Sequence, residues 1–133
     1  MTVIDGHGIP LGITTESASR NEIILSEPLL QQILLPIERV KRLIYDKAAD
    51  GDGLRHRLLA RGIDLIAPHK KNRVRKKLQD GRKLRRYRRR WKVERSFAWL
   101  HNFRRVVTRW EYHAHLYHGF VQLACLSTIL HKS

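Results

Sequence analysis

Residues 85 to 105 read RRYRRRWKVERSFAWLHNFRR, and Glu94 is the one carboxylate in that field of arginines. On an α-helix, at about 100° per residue, Tyr87, Arg90, Glu94 and His101 fall within roughly 60° of one another. A phenol, a guanidinium, a carboxylate and an imidazole then share one polar stripe. An Arg90–Glu94 ion pair one turn apart would stabilise such a helix by only a few tenths of a kcal/mol. It accounts for two members of the stripe and leaves the other two unexplained. The surrounding charge points to a polyanionic partner. From Lys70 to Arg95 only Asp80 and Glu94 oppose a run of Lys and Arg, and like charges at helical spacing repel unless an anion relieves them.

The whole chain carries the same bias. Its 133 residues include 27 Lys and Arg against 12 Asp and Glu, a formal charge of +15. Such an excess favours nucleic acid. An anionic membrane is the rival surface, but no long uncharged apolar run and no signal peptide is apparent. The lone Cys125 lies in an apolar stretch and reads as packing, so disulfides are not implied and a reducing cytoplasm is the default. The stretch from about 69 to 83 lacks a clear period and reads as a basic loop. Lys70, Lys71, Arg73, Lys76 and Lys77 in it are candidate phosphate contacts.

The elements that must position these residues follow from pattern. MTVIDGHGIPLGITTES reads as a hairpin, with Val3-Ile4 and Leu11 to Thr15 as strands and DGHG as the turn, Asp and Gly supplying its backbone. Ser26 before Pro28 resembles a helix start, with Leu29, Leu30, Ile33 and Leu34 as the apolar face and Pro36 as the stop. RVKRLIYD is a strand ending at Asp46. DGDGLRHRLLARG is a short helix with Asp50 or Asp52 as its cap and Gly62 as its stop. IDLIAP is the next strand. A long helix is expected over 84–107, with Phe97, Leu100, Phe103 and Val107 apolar. Another follows over 114–130, with Leu116, Phe120, Leu123, Ser127 and Leu130 on one face. This order implies a single α/β sheet domain over 1–133.

Tyr87, Arg90 and Glu94 match a Y-x2-R-x3-E signature, and with it the chain resembles the DDE transposases of bacterial insertion sequences. RRRWKVERSFAWLHNFRRVVTRWE is similar to that family's C-terminal block. DKAADGDGLRHRLLARGIDLIAP resembles the segment holding its second catalytic aspartate, and DGHGIPLGITTESA its early hairpin. The resemblance covers essentially the whole chain. It implies a ribonuclease H-like mixed sheet with flanking helices, and a site in which three carboxylates hold two Mg²⁺ or Mn²⁺ ions about 4 Å apart for DNA cleavage and strand transfer. By resemblance Asp46 and Glu94 are catalytic metal ligands and should converge. Tyr87, Arg90 and His101 would contact DNA near the cut end.

The resemblance also has gaps. His101 stands where the signature ends in lysine, and Tyr45 and Ala49 depart from the pattern around the second aspartate. No D-x-T or D-x-S motif precedes the hairpin, so the first strand and its aspartate are expected to be absent. That makes the chain either the downstream product of a split frame or a truncated remnant, inactive in strand transfer by itself. The expected partners are transposon-end and target DNA at the bacterial nucleoid, an upstream transposase segment and further copies of the chain. The alternative is a non-catalytic basic nucleic-acid-binding protein or regulator of transposition. Among weaker signals, His113, His115 and His118 read as a polar helix entry, and at least two of Trp91, Trp99 and Trp110 as core.

Overall fold

A computed structural model describes residues 1–16, 22–33, 36, 39–77 and 80–132. The architecture is mixed α/β, with two two-stranded sheets and several helices. The chain forms two compact units, Met1–Leu35 with Trp91–Ser133, and Pro36–Arg90.

In the first unit β1 (Thr2–Ile4) pairs antiparallel with β2 (Pro10–Ile13), Thr2 opposite Ile13 and Val3 opposite Gly12, before the register shifts at Ile4. Asp5 builds the turn between them. Its Oδ1 accepts the backbone N–H of His7 at 2.7 Å and of Ile9 at 2.8 Å, a side chain standing in for a backbone acceptor. α1 (Glu22–Gln31) buries Leu29 and Leu30, with Ile33 just beyond its end. Ser26 does not start this helix. It is buried within it, its hydroxyl donating to the Ile23 carbonyl at 2.6 Å, as serines inside helices commonly do. Packing of the leucines outweighs the N–H that Pro28 removes from the helix interior. Leu34 lies outside the described residues.

The expected helix over 84–107 is divided. α3 (Gly81–Leu84), capped by the Asp80 side chain, leads into a 3-10 segment over Arg85–Arg90. Then come α4 (Trp91–Leu100), a turn, and α5 (Arg104–Val107). A 3-10 segment advances about 120° per residue, so Tyr87 and Arg90, three apart, lie on one side of it, while Glu94 and His101 belong to the other unit. Within α4 the inner positions are Ser96 and Leu100, while Phe97 there and Val107 at the end of α5 are exposed. α6 (Ala114–Lys132) buries Val121, Ala124, Cys125 and Thr128. Leu100, Ala124 and Cys125 form a cluster with Ile13, Phe103 and Val106 against it, and burial pushes the Cys125 thiol up to about 11. The leucine face expected to be inside is the outside one: Leu116, Phe120, Leu123 and Leu130 are exposed.

The second unit is built on a βαβ element. β3 (Arg42–Ile44) and β4 (Asp64–Ile66) are parallel neighbours, Leu43 opposite Leu65, joined through α2 (Asp52–Ala60). Leu54 and Leu58, one turn apart on α2, meet Ile63, Leu65, Ile66 and Ala67 in its core. Gly62, at φ 75°, ends the helix as expected: its N–H bonds Leu59 O, and Ile63 N–H bonds Leu58 O. Gly51 caps the start without a side-chain bond, so neither Asp50 nor Asp52 takes the capping role expected of them.

The hairpin turn is docked onto α4. Lys92 Nζ donates to Gly6 O, Arg95 Nη2 to His7 O and Ser96 Oγ to Gly8 O, three residues at i, i+3 and i+4 on one helix face. Gly8 is buried at φ 91°, and a Cβ there would lie 3.3 Å from both Arg95 Nη2 and Ser96 Oγ. Gly8→Ala is therefore expected to destabilise the chain by about 1–2 kcal/mol from backbone conformation alone, read as a lower urea midpoint. Gly6→Ala, with nothing within 4 Å of its Cβ position, should be close to neutral.

Candidate functional site

Asp46 lies just past the carboxyl end of β3, where Tyr45 N–H still bonds Ile66 O and extends the ladder. Its Oδ1 accepts the Ala48 N–H at 2.8 Å and caps the 3-10 turn over Lys47–Ala49. That leaves Oδ2 facing outward, 3.9 Å from Arg90 Nη2, with both side chains 37% exposed. Arg90 reaches it because the 3-10 segment packs beside β3. A carboxylate at a strand's carboxyl end with a guanidinium beside it suits both cation and phosphate. Tyr87, from the same 3-10 segment, is half-buried. Glu94 belongs to the other unit, exposed on the first turn of α4, and His101 is exposed in the turn that follows that helix.

The basic stretch is anchored by an acid cluster that charge counting alone does not reveal. The Asp50 side chain is only 1% exposed. It accepts His69 Nδ1 at 2.7 Å, the Lys70 backbone N–H at 2.8 Å, Arg73 Nη1 at 3.0 Å and Arg55 Nη2 at 3.4 Å. Arg55, itself buried, also donates to Leu65 O at 3.0 Å and Ala67 O at 2.7 Å, tying α2 to β4. Arg73 makes a second pair with Asp52 at 2.6 Å. Burial pushes the Asp50 carboxyl upward, but the Lys70 N–H, His69 and Arg73 outweigh it and hold it below the ordinary value. The Arg73 hydrogen bond likewise lowers Asp52, and Asp52 in return raises Arg73. Arg73 is thus a structural clamp, its side chain 9% exposed. Lys70, Lys71, Lys76 and Lys77 around it are exposed. The loop ends at Asp80, and 81–84 is helical rather than loop.

The family model for the transposase DDE domain matches residues 1–129. The chain belongs to the DDE transposase family. A curated relative from Burkholderia cepacia, named as a transposase for insertion sequence element IS402, is 31% identical over 130 residues. That match takes in 92% of this chain and 58% of the relative, so the chain spans little more than half of the relative's length. No solved structure matches it.

Of the residues expected to form the site, the structure brings Asp46 and Arg90 together within one unit. Two features escape the signature. Arg95 lies 4.8 Å from the Trp91 ring centroid and 5.0 Å from that of Trp99, with Lys132 Nζ 5.3 Å from Trp99. Trp91 and Trp110 are exposed and Trp99 is half-buried, so the tryptophans are not the core residues the sequence suggests. The W-x3-R-x3-W spacing, one helix face at i, i+4 and i+8, was the available signal. The Asp50 cluster had a weaker one, two closely spaced aspartates upstream of a one-signed run.

Depressed carboxyl pKa values give stability that is present above the unfolded value near 4 and lost as pH falls through the folded values. The melting temperature should therefore fall steeply below about pH 4. Arg73→Ala should lower it by several degrees at pH 7 and shrink that acid-dependent fall, whereas Lys70→Ala should leave it almost unchanged. Thermal melts followed by circular dichroism from pH 7 to pH 2 check all three.

Proposed function

We propose that the chain is the C-terminal part of an insertion-sequence DDE transposase catalytic domain of ribonuclease H-like fold, working on DNA in the bacterial cytoplasm. The observation that carries this reading is Asp46 at the end of β3 with Arg90 beside it, in a chain matched to the family along nearly all its length. In this reading Asp46 and Glu94 are the second and third acidic positions. Tyr87, Arg90 and His101 hold DNA phosphates near the reacting end. Lys70, Lys71, Lys76 and Lys77 follow the backbone further out, where each neutralised phosphate adds to affinity without reading sequence. No described helix is long and apolar enough to cross a membrane.

Carboxylate oxygens are the donors that Mg²⁺ or Mn²⁺ takes. Among the described residues, however, no three acids, histidines or cysteines gather into a group that could hold a metal ion. The described donors do not by themselves make up a two-ion cage. That observation favours a second reading, a DNA-binding protein of the family that regulates transposition without cutting.

Nicking separates the two. The 133-residue chain should bind duplex DNA and leave it intact in Mg²⁺. Fusing an upstream segment that carries a D-x-T strand should raise cleavage above background, and Asp46→Asn or Glu94→Gln in the fusion should abolish it. Cleavage that persists in both variants would remove the catalytic assignment, and a fusion that never cuts leaves the regulator. Binding has its own check: Lys76→Ala with Lys77→Ala should reduce the log–log salt slope by close to one unit per lost phosphate contact, roughly two in all. An unchanged slope would make this run a solvated surface only.

A further inference from the structure

Between α5 and α6 the chain reads TRWEYH, residues 108 to 113. Burial here reverses the usual order, in which indole rings go in and carboxylates stay out. Trp110 is 74% exposed and Tyr112 91%. The Glu111 side chain between them is only 6% exposed. The loop is held in this arrangement from within. Glu111 Oε1 accepts Arg105 Nη1 at 2.7 Å, and its Oε2 accepts the Trp110 N–H at 3.2 Å. Arg109 donates through Nε to the Glu111 carbonyl and through Nη2 to the Tyr112 carbonyl, both at 2.9 Å. Tyr117 Oη donates to Val106 O at 2.9 Å and joins α5 to α6. Acid and arginines fix the backbone, and the rings are what the loop presents.

We propose that this loop is a stacking platform for the unpaired bases of single-stranded DNA, with Trp110 and Tyr112 each taking the face of a base. The inference rests on the DNA-binding part of the reading above, and does not depend on cleavage. Aromatic surface continues from the loop into the first turn of α6. Tyr112 meets the His113 ring edge-on, centroids 5.2 Å apart, and His113 stacks on His115 at 5.4 Å. All four rings are exposed.

Charge and ring exposure together select the occupant. From residue 104 to 118 the only Asp, Glu, Lys or Arg are Arg104, Arg105, Arg109 and Glu111. Glu111, the single acid, is turned inward. The outer surface is therefore aromatic and cationic, with no exposed carboxylate to repel a phosphate. A neutral protein surface could cover the rings but would offer nothing to the exposed Arg104 and Arg109. A DNA duplex would use the arginines and leave the rings idle, because its base faces are hidden in their own stack. Only a base that has left the stack engages both, its π face on a ring and its phosphate near a guanidinium.

The test is fluorescence anisotropy of the 133-residue chain with three labelled probes. These are a single strand of about 16 nucleotides, an abasic strand of the same length, and the matching duplex. The two single strands carry equal phosphate charge, so stacking alone separates them. Wild type should bind the base-bearing strand at least about 5-fold more tightly than the abasic one. Trp110→Ala with Tyr112→Ala should remove that preference and leave duplex affinity unchanged. Trp110→Phe keeps a ring and should retain most of the preference. Both positions are solvent-exposed, and an unchanged melting temperature verifies the fold of each variant. A wild type that binds both single strands equally overturns the proposal, whatever the variants do, and hands the loop to a partner other than a base. So does a folded double variant that keeps the preference, or one that loses duplex and single strand alike. A chain that binds no DNA of any form sinks the DNA-binding reading itself, and this inference with it.

Discussion

The physical constraint on which this structure rests is scarcity of negative charge. With 27 cations and 12 acids, each carboxylate placed inside a unit settles where several basic side chains go. Asp50 is the extreme case: nearly inaccessible, it collects Arg55, His69, Arg73 and the Lys70 N–H, and so fixes α2, the end of β4 and the start of the basic stretch relative to one another. Removing water from one carboxylate is tolerable only because these donors replace it. Asp64 holds Lys83 at 2.8 Å and Glu111 holds Arg105. In each of these places an acid fixes where the basic side chains around it go.

That placement sharpens the functional picture. Arg73 sits in a strongly basic stretch yet serves the fold, whereas the lysines on either side of it are exposed. Arg90 sits between the two roles, near Asp46 but more than a third exposed. An arginine so placed offsets a carboxylate's charge when no cation is bound and faces solvent from which a phosphate can approach. The hairpin turn obeys a related economy, since Lys92 and Arg95 spend donors on backbone carbonyls that would otherwise lack partners. Arg95 completes its surroundings with two indole rings.

The α6 helix shows the opposite strategy, a surface from which charge has been withheld. Its buried face is built of small and medium residues, Ala124, Cys125, Val121 and Thr128, which let Leu100 and Phe103 come close. The larger side chains that would have filled a core are the ones turned outward. The α6 face and the exposed lysines are thus chemically distinct surfaces, one without charged side chains and one cationic.

Much of this was legible in the sequence. The hairpin, β3, α2, β4 and α6 follow from period and punctuation because each depends on neighbours close in the chain, and Gly62 and Asp5 act where their residue types predict. The signature spacing of Tyr87, Arg90 and Glu94 was enough to point to the family. The sequence could not divide the long basic helix at Arg90, because a change from 3-10 to α-helix leaves hydrophobic spacing nearly unaltered. Nor could it choose between the two apolar faces of α6. Both satisfy helical periodicity, and only the shape of the surface formed by Leu100, Phe103 and Ile13 decides for the small-residue face. Arg73 looked identical to its neighbours for the same reason: composition records a charge, while the tertiary structure alone brings Asp50, 23 residues upstream, within reach of it.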